Sequence, residues 1–175
     1  MLFKIRSIYV TAAISAVLTV AAVASAKYKA ENAKLVFHAK GPGGLAIEGK
    51  SSTLKIGEDD KAYTFTTFMN TLDTGIGKRN EHMQKRFKAA DYPEIVLTVP
   101  KDKVDPKKGG SASGTLKFHG VQKPVSFKYS VDGKHVSANF EFNVKDHGIT
   151  DEDVCEMHVC AKPDVKVDVD FDLKD

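Results

Sequence analysis

Val165, Val167, Val169, Phe171 and Leu173 alternate without a break with Lys166, Asp168, Asp170, Asp172 and Lys174. A strict period of two defines a strand with one dry face and one wet face. The pattern returns at Val136, Ala138, Phe140, Phe142 and Val144, and again at Val125, Phe127, Tyr129 and Val131. Shorter versions occur at Leu116 and Phe118, and at Leu35, Phe37 and Ala39. Residues 95–99 form a more continuous apolar strand, and 63–72 carry apolar residues on both faces. There the buried face stays open between Phe65 with Met69 and Phe68 with Leu72.

Turn residues separate these runs at Gly41-Pro42-Gly43-Gly44, Gly57 to Asp60 and Asp132-Gly133. Lys101 to Ser113 reads as an exposed excursion. One segment, Lys78 to Ala90, loses the alternation. Met83, Phe87 and Ala90 share a helical face, Asn80 is the expected N-cap, and Asp91-Tyr92-Pro93 ends the helix. The chain is therefore all-β: about eight antiparallel strands with one short helical insert. Such a sheet must bury its apolar face, and closure into a barrel does this while removing sticky edges. A packed sandwich satisfies the same pattern, and periodicity does not separate a filled barrel from a hollow one.

Lys4 and Arg6 precede a mostly apolar run from Ile8 to Val23, closed by Ala24-Ser25-Ala26. This is the pattern of a cleaved signal peptide over residues 1–26, which sends residues 27–175 to the periplasm or outside the cell. A membrane anchor is the alternative. Removing 26 of 175 residues leaves 149. The formal charge falls from +3 to +1, with 24 basic residues against 23 acidic. That balance argues against nucleic-acid binding, which needs clustered cations.

The sequence holds no nucleophile elbow, phosphate loop or H-E-x-x-H pair. No two of its six histidines stand at helical ligand spacing. No enzyme activity, catalytic residue or resident metal is expected. Cys155 and Cys160 allow a local disulfide, the commoner outcome in an oxidising compartment. A soft-metal or thiol-redox site with His158, and free thiols, are the alternatives.

Thr71-Leu72-Asp73-Thr74-Gly75, Arg79-Asn80, His82-Met83 and Tyr92-Pro93 form a first group of motifs. Gly114 to Val121 with Lys123-Pro124-Val125 form a second, and Lys145-Asp146-His147-Gly148-Ile149 a third. Gly49 fits an early strand-end glycine. With these motifs, from about residue 28 to 173, the sequence resembles the YceI-like family of secreted bacterial lipid-binding proteins. His147 stands where that family commonly has an aromatic, and the cysteine pair is not a general family feature.

The resemblance implies a lipocalin-like antiparallel barrel with its helix beside the mouth. It implies an amphiphilic lipid ligand, an isoprenoid quinone or fatty-acid-like chain, held for transport or storage. Transient membrane contact and a homodimer are compatible with it. A non-binding structural or stress-response barrel is the competing reading. The expected wall is Phe37, Leu97, Phe118, Phe127, Tyr129, Phe140, Phe142, Val167 and Phe171. Met83, Phe87 and Tyr92 are the expected lid. Arg79, Asn80 and His82 are expected at a polar head group, with helix capping and surface charge as the alternative.

Overall fold

The computed structural model describes residues 27–156 and 159–174. The expected signal segment lies outside the described residues, as do Met157 and His158.

The strands are β1 (Lys29–Lys40), β2 (Ala46–Ser51), β3 (Lys55–Glu58), β4 (Ala62–Phe68), β5 (Glu94–Pro100), β6 (Gly110–Phe118), β7 (Val121–Asp132), β8 (His135–Asn143) and β11 (Asp164–Lys174). Between β8 and β11 a two-stranded hairpin, β9 (Cys155–Glu156) and β10 (Val159–Cys160), stands apart. The nine longer strands form one antiparallel sheet in the order β2-β1-β11-β8-β7-β6-β5-β4-β3. Its two edge strands, β2 and β3, are neighbours in the chain, joined by residues 52–54. Four residue steps of chain reach at most about 14 Å. The sheet must therefore curl until the connected ends of its edge strands come together, a half-barrel in which β2 and β3 are not paired with each other among the described residues. Thr67 Oγ1 on β4 donates to Thr53 O across this joint, and Lys27 N donates to Glu58 Oε2.

The alternation sets the register. Val165, Val167, Val169 and Phe171 on β11 stand opposite Phe142, Phe140, Ala138 and Val136 on β8, dry face to dry face. A slip of one residue would place every one of them in water. The ambiguous segment also resolves. Tyr63, Phe65 and Thr67 face the interior, while Phe68 lies outside under the Lys55 ammonium. A 3-10 turn at Met69–Thr71 then breaks the period, so Met69 and Leu72 are both buried. The sheet has nine strands against the expected eight or so, and Gly49 lies within β2 rather than at its end.

The helix α1 spans Gly77–Arg86, with Ile76 at the N-cap position and no side-chain cap. Asn80 is thus not the N-cap but lies within the first turns, and reaches back to the preceding loop. Ala90 falls beyond the helix and is exposed; Ala89 packs on the core in its place. A four-residue helix α2 (Asp151–Val154) is held by a capping box between Thr150 and Asp153.

Candidate functional site: an apolar barrel interior

The curled sheet encloses two cavities. The lower has a volume of about 150 Å³ and the upper about 470 Å³. Leu35, Thr67, Ile95, Leu116 and Phe140 line both, so they form a waist in one interior. The lower cavity holds Leu97, Phe127, Tyr129 and Phe171 of the expected wall, and the upper holds Phe37, Phe118, Phe142 and Val167. Phe140 belongs to both. Aromatic edges fix this surface: Phe118 packs edge-on against Phe87 and Phe142 at 5.5 and 5.4 Å.

A loop crosses the lower end. Tyr129 Oη accepts from Asp105 N at 2.8 Å, which holds the loop carrying Val104 and Pro106 over the barrel floor. Lys101 Nζ lies 2.6 Å from Glu58 Oε1. That hydrogen bond holds the Glu58 carboxyl below the ordinary carboxylate range and raises the Lys101 ammonium.

The upper end is the mouth. Met83 from α1 and Phe87 at its C-cap line it, with Arg79 and His82. Tyr92 does not reach it. The chain turns at Lys88, which has a positive φ, and sends Tyr92 to the outer surface. There its ring stacks on His119 at 4.5 Å, over Gly120. Asn80 is also absent from the lining. Its Oδ1 accepts from Thr74 N at 2.9 Å and Thr74 Oγ1 at 2.6 Å, and its Nδ2 donates to Asp73 Oδ1 at 2.7 Å. Asn80 is therefore a fastener for the loop before α1. Its hydrogen bond and that of Gly75 N hold the Asp73 carboxyl below its ordinary range.

Arg79 Nη2 donates to Thr74 O at 2.6 Å, yet its Nε–H is buried with no partner. A buried donor without an acceptor costs free energy that a ligand oxygen or a water can return. His147 is 2 % exposed and takes the aromatic position. Its ring meets Phe118 and Phe142 edge-on, and its Nδ1–H donates to Val121 O at 2.9 Å. The wall residues missing from the sequence reading include Phe65, Leu116 and Ile95. Phe65 was hidden by the two-faced segment. The other two sat in strands already recognised, and only the closed sheet shows that they meet at the waist.

Cys155 and Cys160 form a disulfide. It suits an oxidising compartment and leaves neither sulfur as a free thiolate for a soft metal. Among the described residues, no three His, Cys, Asp or Glu side chains are grouped to hold a metal ion.

The antiparallel sheet thus curls round an apolar interior, with α1 and a cluster of basic residues at its upper end. A YceI-like domain matches residues 27–173, and the chain belongs to this family. Its fold is similar to that of a polyisoprenoid binding domain from Saccharophagus degradans, described as implicated in plant cell wall breakdown. The TM-score is 0.65 at 17% identity, over 84% of this chain and 97% of that one. BcnA of Burkholderia cenocepacia matches with a TM-score of 0.60 at 13% identity, over 82% and 96%. A Campylobacter jejuni YceI protein matches at 0.52 and 16% identity, over 99% and 91%. No curated protein matches the chain.

Proposed function

We propose that the barrel holds a long isoprenoid or acyl chain in an extracytoplasmic compartment, for transport or storage, and that its role is binding rather than catalysis. The observation that carries this reading is the adjacency of two apolar cavities, which share Leu35, Thr67, Ile95, Leu116 and Phe140 as wall. The upper cavity alone lies in the size range of small-molecule sites. A wall of Phe, Leu, Ile and Val offers a chain no hydrogen bonds, so its affinity comes from apolar surface leaving water. The unpartnered Arg79 Nε–H and the neighbouring His82 supply a polar end at the mouth for a head group. The polyisoprenoid-binding neighbour supports the same ligand class. The open interior speaks against a purely structural barrel.

A series of saturated fatty acids and prenyl alcohols of increasing length tests this reading by displacement of a fluorescent apolar probe. Each further buried CH₂ contributes about 0.8 kcal/mol, a factor of about four in Kd. Affinity is expected to climb with length and then level off when the interior is full. Affinity that does not depend on length would refute a tunnel for chains.

A further inference from the structure

We propose that the upper mouth is a docking surface for an anionic lipid bilayer, with Leu45 and Ile76 as its apolar tips. Three large hydrophobic side chains stand exposed among the described residues, Leu45 at 61%, Ile76 at 52% and Tyr92 at 37%. The two most exposed both line the upper cavity, on separate elements. Leu45 ends the 3-10 turn Pro42–Gly44, where Gly43 and Gly44 adopt positive φ values that other residues rarely take. That turn carries Leu45 outward. Ile76 sits at the start of α1, in the loop fastened by Asn80.

The charged lining beside these tips is mostly basic. Among the described residues, Lys40, Lys78, Arg79, Arg86 and Lys162 line the upper cavity with one carboxylate, Asp153. Asp153 is already engaged, accepting from Thr150 N and Oγ1 at 2.8 Å each. Among the described residues, the lower cavity has only Asp105 as a charged lining residue. Because residues 27–175 carry a net charge near zero, this is a local concentration and not a property of the whole chain. Exposed aliphatic tips beside cations match the boundary of an anionic bilayer, where apolar groups enter the acyl layer and cations meet phosphates. A neutral bilayer carries no net negative charge to attract this basic rim. Docked this way, the cavity opens onto hydrocarbon. That consequence for ligand transfer rests on the lipid-holding reading; the docking itself does not.

The test is sedimentation of the full chain, as the cell delivers it, with phosphatidylcholine vesicles containing or lacking phosphatidylglycerol. Each basic residue at an anionic surface changes affinity about fivefold. Lys78→Ala with Lys162→Ala is therefore expected to weaken binding to the anionic vesicles about thirtyfold. Lys107→Ala with Lys108→Ala removes the same charge at the opposite end and is expected to leave binding within about twofold. Leu45→Ser with Ile76→Ser is expected to release the protein from anionic vesicles while its circular dichroism stays unchanged. Equal losses from the two lysine pairs, or equal binding to both vesicle types, would overturn the proposal. Retention of an apolar probe, measured on the same samples without vesicles, reports the lipid-holding reading separately.

Discussion

Leu116→Asp is expected to lose most of the stability of the fold, while Lys117→Asp, one residue away, costs less than about 0.5 kcal/mol. Leu116 is 2% exposed, lines both cavities and stands opposite Leu97 in the β5–β6 ladder. Truncation of a buried leucine alone costs about 2–5 kcal/mol. An unpaired carboxyl at the waist adds its desolvation to that, against a total stability of about 5–15 kcal/mol for a domain. The new carboxyl would have its pKa raised by burial, so the folded state would hold its proton longer than the unfolded one. The variant is therefore most stable below the ordinary aspartate pKa and loses stability as pH rises through the raised value. Urea unfolding of both variants at acid and neutral pH checks this. Similar losses for Leu116→Asp and Lys117→Asp would mean that the inward phase of β6 is wrong.

The second large effect is expected at Gly49. The Phe37 ring, which lines the upper cavity, lies across Gly49, its partner in the β1–β2 ladder. A methyl group on Gly49 would overlap Phe37 Cε1 and Cζ and approach Cδ1 to 3.0 Å. The strand can accept it only by moving the ring, and the free space lies in the cavity. Gly49→Ala is expected to cost about 1–3 kcal/mol through overpacking and to weaken binding of the longest ligands most, because the displaced ring takes their room. Phe37→Leu in the same chain is expected to recover part of the loss, giving a coupling energy of about 0.5–3 kcal/mol in a double-mutant cycle. Additive effects would show that the two residues do not share the space.

The strands were legible because the barrel has one wet and one dry face, and side-chain alternation records that difference directly. Residues Val136 to Val144 and Val165 to Leu173 could be assigned inward by eye, and the sheet pairs them as the pattern requires. The segment from Phe65 to Leu72 was not legible, because a 3-10 turn shifts its phase halfway. Strands β2 and β3 were missed for a related reason: Ala46–Ser51 and Lys55–Glu58 are short and carry few apolar residues. Tyr92 was expected at the lid beside Met83 and Phe87, but the turn at Lys88 carries it to the outer surface. The division of the interior at Leu116 and Phe140, and the pairing of Leu45 with a basic mouth, arise from elements far apart in the chain. No local pattern could reveal them.

The central claim is that the barrel carries an apolar chain. It is tested most directly by organic extraction of the purified full chain followed by mass spectrometry of the extract. The account predicts a stoichiometric long-chain isoprenoid or acyl lipid, depleted in protein bearing Gly49→Ala. An extract without lipid, from a protein that also fails to take up quinones or fatty acids added to it, would contradict the account.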